Sequence, residues 1–177
     1  DLDGTTAVTA GMTVSATEFA ALKYKTVANA NGTGNVTFDV IDSGSGTAPN
    51  VNTLSSQSVS MTVNAVNDAP TLSTAGSIAA VDEDSSNATA VTLWSTSPVY
   101  GAGGSGGYES TQTLSYKITT IPAFILLFKA DGTTAVTTGT TVTAAEFAGL
   151  KYKTVADVNG TGNVTFDVID SGSGTAP

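Results

Sequence analysis

The stretch Val63-Asn64-Ala65-Val66-Asn67-Asp68-Ala69-Pro70-Thr71 predicts a joint between two copies of one module. Before the joint, Val59, Met61 and Val63 alternate with polar residues, the period of two that indicates a strand with one buried face. After it, Pro70 fixes its own backbone and favours an extended conformation in the preceding residue. We therefore expect one domain to end here, a short stiff connector to follow, and the next domain to begin.

An internal repeat supports this division. Residues 2–49 align without gaps on residues 130–177 at an offset of 128, and differ at eight of 48 positions. A period of this length exceeds the roughly 20–50 residues of solenoid units and suits a string of domains with separate cores. The repeat predicts that residues 1–69 are the C-terminal part of one module and that residues 70–177 are the next module without its final strand.

This frame leaves both modules incomplete. The first lacks counterparts of residues 70–128, and the second lacks a counterpart of residues 54–66. We therefore expect the chain to be a window cut from a longer tandem array. The alternative is a natural protomer of 177 residues, which would need strands from neighbouring copies to complete both ends.

Short alternating segments predict the fold class. Residues 71–81 and 87–94 predict the first two strands of the module, and residues 114–119 and 164–168 have the period of two of half-buried strands. The glycine-rich stretch 100–107 predicts no regular structure, and Asp131-Gly132 predicts a turn. Ser15 with Glu18, and Thr143 with Glu146, have the spacing of a capping box and predict helices of one or two turns. Seven short strands with little helix predict an all-β fold built from Greek-key β-sandwich modules.

The composition narrows the function. The chain lacks cysteine, histidine and arginine, so it has no disulfide, no thiolate or imidazole metal ligand and no histidine base. A net charge of −9 opposes binding to nucleic acid and to anionic membranes. The longest apolar run, residues 123–128, is far shorter than the roughly 20 residues of a membrane-spanning helix. We expect no enzyme and no membrane insertion, and any bound metal must be held by oxygen.

Two groups of oxygen-bearing side chains are expected at the two ends of the module. If the first strand runs away from the joint, strand alternation brings residues 82–84 and the loop 156–162 together at the far end. The strand 164–169 then returns toward the joint, where the preceding copy also contributes a loop. The candidate metal ligands are Asn29, Asn31, Asn67, Asp68, Asp82, Glu83, Asp84, Asp157, Asn159 and Asp170.

Clustered carboxylates favour a cation. Two unit charges about 4 Å apart repel by roughly 4 kcal/mol at an effective dielectric constant near 20, and a divalent cation removes that cost. Calcium accepts six to eight oxygen ligands in flexible geometry, whereas magnesium requires a stricter octahedron. We therefore expect calcium. The alternative is that residues 82–84, 67 and 68 are solvated turn residues.

The connector Val66-Asn67-Asp68-Ala69-Pro70, together with residues 82–85, 150–152 and 164–172, resembles the cadherin-like tandem repeats of bacterial surface and RTX-type adhesins. The resemblance implies an immunoglobulin-like sandwich, secretion, calcium at the junctions and a spacer or adhesive role. Ala69 departs from animal cadherins, which usually have another asparagine there. The stretch 100–108 resembles an insertion.

Two functions remain open. The first is a structural spacer or stalk of a secreted bacterial adhesin or extracellular filament at the cell surface, with neighbouring copies of the module as partners and self-assembly into fibres. The second is an adhesive module that recognises glycans or another cell surface through the glycine-rich stretch and through Tyr100 and Tyr108. Near-identity between the copies favours the spacer, since a dedicated binding domain usually occurs once.

Overall fold

The computed structural model describes residues 6–104 and 109–172. It confirms a mostly β fold, with short strands in several antiparallel sheets and two short helices. The chain divides into two compact units, Asp1–Ala65 (unit 1) and Val66–Pro177 (unit 2). Residues 66–69, which the sequence assigns to the first module, lie in unit 2 because the Asn67 and Asp68 groups hydrogen-bond to residues of that unit.

Unit 1 contains one helix and one two-stranded sheet. The helix α1 spans Ala16–Ala20, and the antiparallel strands β1, Gly32–Ile41, and β2, Thr53–Val63, follow. None of the described residues of this unit is buried. The predicted strand is present, and Met61 and Val63 on its apolar face are half-buried. Val59 on the same face is 57% exposed, because no second layer covers the sheet within residues 6–65.

Unit 2 contains nine strands and one helix within its described residues. Its strands form a four-stranded sheet ordered β4-β10-β7-β8, a three-stranded sheet ordered β11-β6-β9, and the pair β3-β5. The elements are β3 Thr71–Thr74, β4 Val91–Thr92, β5 Val99–Gly101, β6 Leu114–Thr120, β7 Ile125–Phe128, β8 Ala135–Val136, β9 Thr141–Thr143, α2 Ala144–Ala148, β10 Lys151–Thr154 and β11 Thr165–Asp170. The strand β11 thus lies at an edge of its sheet.

The hydrophobic core of unit 2 is built on Phe147. Its ring stacks on Tyr116 with ring centroids 4.0 Å apart, and Trp94 and Phe166 pack against it at 5.1 and 4.7 Å. The Trp94 indole N–H donates to the carbonyl oxygen of Phe147 at 2.8 Å. The remaining buried apolar residues are Leu93, Ile118, Leu127, Val136, Val142, Leu150 and Tyr152.

The strands at the start of unit 2 are shorter than the sequence predicts. The expected strand over residues 71–81 ends at Thr74, and the one over 87–94 is reduced to β4. A side chain at Gly76 would lie 2.6 Å from the ring of Pro98, and the next residue, Ser77, makes only an isolated bridge with Thr96. The glycine-rich stretch was expected to lack regular structure, but its first residues belong to β5, which pairs with β3. Residues 105–108 of that stretch lie outside the described residues.

Both predicted capping boxes are confirmed. In α1, Ser15 accepts from the Glu18 N–H and Glu18 accepts from the Ser15 N–H; in α2, Thr143 and Glu146 make the same pair of bonds. This local geometry recurs although the two helices differ in their surroundings. None of the helices in the described part of the chain is long and apolar enough to cross a membrane.

Acid is expected to weaken unit 2 through Glu146. A hydrogen bond from Lys129 Nζ at 2.7 Å, with the Thr143 N–H, lowers the pKa of this carboxyl from 4.5 to about 2. The pKa of Glu146 is lower in the folded state than in the unfolded state. Its contribution to stability is therefore complete at pH values above the unfolded-state pKa, and it is lost as the pH falls toward the folded-state pKa. Thermal melting between about pH 5 and pH 2 should therefore show a smaller loss of stability in Glu146→Gln than in the parent chain.

The matched control for this prediction is Glu18→Gln. Hydrogen bonds from Ser15 also lower the pKa of Glu18, but the helix that it caps contains no buried residue. That variant should leave the acid sensitivity of the melting of unit 2 unchanged. Equal acid sensitivity in the parent and in Glu146→Gln would contradict the assignment.

The two copies have nearly the same sequence but very different burial. Phe147 and Tyr152 are 1% and 5% exposed, whereas their counterparts Phe19 and Tyr24 are 39% and 71% exposed. One contact is kept, because Phe19 lies 4.7 Å from Phe38 as Phe147 lies from Phe166. Local structure therefore follows the sequence, while burial depends on the segment 70–128, which supplies the other strands of unit 2.

Candidate cation site beside the connector

Asn67 links three segments at one end of unit 2. Its Nδ2 donates to Asp170 Oδ1 at 3.0 Å, and its Oδ1 accepts from Gln112 Nε2 at 2.9 Å. Asp170 is the last residue of β11, and Gln112 precedes β6, so the ends of adjacent strands place both partners beside the connector. The Gly172 N–H also donates to Asp170 Oδ1 at 2.9 Å.

Glu109 lies next to this group and is the central acidic residue of the site. It is 7% exposed, and its Oε1 accepts from the Asp68 N–H at 2.8 Å. The other carboxylate oxygen, Oε2, is buried and has no hydrogen-bond partner among the described residues, and the same holds for Gln112 Oε1. Two acceptor oxygens are therefore buried without a donor, at a usual cost of about 1–3 kcal/mol each.

The Glu109 and Asp68 carboxylates border the same small space. A methyl group added to Gly104 would lie 3.4 Å from Glu109 Oε2 and 3.3 Å from Asp68 Oδ2. Gly104 and Gly103 both have positive φ angles, of 60° and 118°, a conformation that suits glycine. A side chain at Gly103 would also strike the carbonyl oxygen of Ala69 at 2.5 Å. The glycine-rich stretch thus lets the backbone pass close to these acidic side chains.

All of the potential metal ligands in this group are oxygen atoms, which are hard ligands. In or beside the connector are the carboxylates of Asp68, Glu109 and Asp170 and the amide oxygens of Asn67 and Gln112. Such a mixture of carboxylate and amide oxygens is the ligand type that calcium accepts. The described residues contain no group of three or more acidic, histidine or cysteine side chains positioned together as metal ligands, so a cation here would depend on amide and backbone oxygens as well.

Sequence reasoning missed Glu109 and Gln112. A signal for Glu109 was present, because it is the only acidic residue between Asp84 and Asp131 and it precedes the clearly alternating strand β6. Its contact with the connector is a hydrogen bond from the Asp68 N–H, which joins residues 41 positions apart. Periodicity along the chain does not reveal such a contact.

At the far end of unit 2, the structure brings together the residues that strand alternation predicts to meet. Asp84 Oδ1 accepts from the Asp157 N–H at 3.1 Å and from Asn87 Nδ2 at 3.2 Å. Glu83 Oε2 accepts from Asn159 Nδ2 at 3.0 Å. All of these residues are exposed, as is Asp82. Amide donors therefore satisfy carboxylates at this end, and a metal-binding role for it stays a prediction.

Asn29 and Asn31 belong to unit 1, so their expected approach to Asn67 and Asp68 stays a prediction. Asn29 has a φ of 59°, and Asp157, its counterpart in the repeat, has a φ of 58°. The loop therefore keeps its left-handed residue in both copies, although one copy has asparagine and the other aspartate. Asparagine and aspartate are the non-glycine residues that tolerate this conformation best.

No protein-family model, no curated protein and no solved structure matches this chain.

Proposed function

We propose that this chain is part of a spacer: tandem Greek-key, immunoglobulin-like β-sandwich modules in the stalk of a secreted bacterial adhesin or extracellular filament. Calcium binds beside the connector and stiffens the junction between modules, and the chain performs no catalysis. The observation that carries the proposal is the buried Glu109 Oε2, which has no partner among the described residues and faces the space bordered by Asp68.

A divalent cation would offset the cost of this arrangement. It would supply the positive charge that buried Glu109 lacks and would bring the Asp68 and Glu109 carboxylates together without repulsion. Magnesium is less suitable, since it demands near-ideal octahedral geometry and keeps several waters. Calcium affinities of extracellular modules, with Kd of roughly 10⁻⁴ to 10⁻³ M, would make occupancy depend on the surrounding medium.

Stiffening follows from the position of the ligands in the chain. β2 ends at Val63 and β3 begins at Thr71, so Asn67 and Asp68 lie midway along the connector. Fixing the backbone of one residue costs roughly 1–2 kcal/mol of conformational entropy. The binding energy of a cation held by both side chains would offset part of that entropic cost, and the connector would then sample fewer conformations.

Composition and repetition support a spacer at the cell surface. Neighbouring copies of the same module are the proposed partners, and lateral association into fibres would use exposed strand edges. The glycan-binding alternative has less support, because Tyr100 lies in β5 and packs against Tyr116 with ring centroids 5.9 Å apart. Tyr108 lies outside the described residues.

Small-angle scattering of the whole chain tests the proposal. With millimolar calcium, the distribution of interatomic distances should become narrower and its maximum better defined than with a chelator, because the connector samples fewer conformations. Magnesium at the same concentration and ionic strength serves as the control and should have a smaller effect. Superimposable profiles with calcium and with chelator would contradict a calcium-stiffened junction.

A further inference from the structure

Three polar side chains at the connector end of unit 2 form a chain of hydrogen bonds with a fixed direction. Asp170 Oδ1 accepts from Asn67 Nδ2 at 3.0 Å, and Asn67 Oδ1 accepts in turn from Gln112 Nε2 at 2.9 Å. A carboxylate can only accept, whereas a side-chain amide has one end that donates and one that accepts. Asp170 therefore requires the NH2 end of Asn67, and this choice sets the direction of the next hydrogen bond.

The chain of hydrogen bonds ends at Gln112 Oε1. The NH2 group of Gln112 is used by Asn67, so only the oxygen is left for another partner. This oxygen is buried and has no hydrogen-bond partner among the described residues. Exchanging the two ends of the Gln112 amide would not remove the problem, because Gln112 Oε1 and Asn67 Oδ1 would then face each other as two acceptors without a donor.

The members of this chain are held in place by the elements around them. Asp170 is the last residue of β11, which pairs with β6, and Gln112 lies just before β6. A side chain at Gly172 would overlap Asn67 Oδ1 and lie 2.9 Å from Gln112 Nε2, so the backbone of Gly172 packs directly on both amides. An amide held in this way can exchange its oxygen and NH2 ends, which have nearly the same size, but it cannot reach other partners.

Gln112 lies in the same turn as the buried acid of the candidate cation site. The Gln112 N–H donates to the carbonyl oxygen of Glu109 at 2.9 Å. The two residues contact consecutive residues of the connector, since Gln112 binds Asn67 and Glu109 binds the Asp68 N–H. Each also has a buried side-chain oxygen without a partner among the described residues. A carboxylate oxygen and an amide oxygen are both ligands that calcium accepts.

We infer that Gln112 Oε1 is a ligand of the cation beside the connector, and that Asp170 is a positioning residue that orients Gln112 through Asn67. This inference rests on the proposed calcium site and adds one ligand and the residue that fixes its orientation. Asn67 Oδ1 has a second lone pair, so its place in the chain of hydrogen bonds is compatible with a contact to the same cation. The carboxylate at position 170 decides which end of each amide is turned toward the cation.

Replacing Asp170 with asparagine tests this role in the whole chain. The new amide could donate to Asn67, so both existing amides could exchange their ends and turn the Gln112 NH2 group toward the site. The calcium Kd measured by titration calorimetry should therefore be roughly 10–100-fold higher than in the parent, the usual effect of removing a group that orients a metal ligand. In chelator, the melting temperature of the variant should not be lower than that of the parent, because every donor keeps an acceptor.

Combining Asp170→Asn with Gln112→Glu should restore calcium binding. The double variant keeps the net charge of the parent and reverses every hydrogen bond: the amide at position 170 donates to Asn67, and Asn67 donates to the carboxylate at position 112. A carboxylate oxygen then faces the cation, and the calcium Kd should return to the parent value or below. Gln112→Glu alone leaves an acceptor at each end of Asn67 and should lower the melting temperature in chelator, a loss that the double variant should recover.

The matched control for the added charge is Asp170→Asn with Thr113→Glu. Thr113 is exposed and next to Gln112, so this variant has the same net charge without the reversed hydrogen bonds, and its calcium binding should stay weak. The inference alone is overturned if the parent binds calcium and Asp170→Asn binds it equally well, or if the double variant binds no better than Asp170→Asn or than the control. A parent chain that binds no calcium would overturn the proposed function and this inference together.

Discussion

Replacing Phe147 with alanine is expected to destabilise unit 2 by about 3–5 kcal/mol, the usual cost of removing a buried phenylalanine. The same substitution at Phe19, the counterpart in unit 1, should change stability by less than about 1 kcal/mol. The two residues have nearly the same neighbours in sequence and the same capping box before them. They differ in burial, since Phe147 is 1% exposed and Phe19 is 39% exposed.

The large cost at Phe147 has a specific origin. Removing the ring leaves a cavity between Tyr116 and Trp94, whose ring centroids lie 4.0 and 5.1 Å from that of Phe147. At Phe19 the substitution removes only a contact with Phe38 on an exposed surface. Denaturant unfolding of the whole chain can be followed by far-UV circular dichroism, and fluorescence of Trp94, the one tryptophan, reports on unit 2 separately. Equal losses of stability in the two variants would contradict the unequal burial of the copies.

Replacing Glu109 with glutamine is expected to have opposite effects with and without calcium. In a chelator, the variant should be more stable than the parent by about 1–3 kcal/mol, because a buried carboxylate oxygen without a donor is replaced by a neutral amide. Glutamine keeps an oxygen that can accept from the Asp68 N–H, as Glu109 Oε1 does. Chemical denaturation with and without chelator measures this difference.

In the presence of calcium, the parent chain should instead be more stable than Glu109→Gln. The parent should gain about 2.7 kcal/mol when free calcium is 100 times the Kd. The variant should bind calcium at least roughly 10–100-fold more weakly than the parent, which is the usual effect of removing a group that only supports the metal ligands. Titration calorimetry and melting at several calcium concentrations measure both quantities. A parent chain that gains no stability from calcium would rule out the site.

Glu83→Gln is the matched control for this experiment. Glu83 is an exposed acid at the far end of unit 2, where it already accepts from Asn159. If calcium binds beside the connector, this variant should keep the calcium response of the parent. If Glu83→Gln loses the response and Glu109→Gln retains it, the cation site lies at the far end instead.

Features that depend on neighbouring residues in the chain could be predicted from sequence. The capping boxes, the strand at 114–120 and the turn at Asp131 and Gly132 all appear where their local patterns predict them. The two- and three-residue strands β8 and β9 escaped prediction, since periodicity needs more residues than they contain. The expected strand over 87–94, in contrast, was predicted too long, because only two of its residues pair with another strand.

The residues of the candidate site also fall into those that the sequence could identify and those that it could not. Asn67, Asp68 and Asp170 could be chosen from sequence because a repeat boundary and strand alternation place them near the connector. Glu109 and Gln112 could not, since neither has a motif and both reach the connector through contacts between residues 41 and 45 positions apart. Oxygen-rich residues are common in this chain, and only packing distinguishes a buried carboxylate from a solvated one.

By itself, the sequence determined the repeat, the strand-rich character of the chain, the helix caps and the exclusion of thiolate and imidazole chemistry. These properties follow from composition and from contacts among residues close in the chain. Only the tertiary structure decided that one copy of a 48-residue repeat contributes to a core, while the other has no buried residue among those that the structure describes. The physical reason is that an apolar side chain such as Phe19 or Phe147 is stabilised by the surface that covers it, and that surface comes from a distant part of the chain.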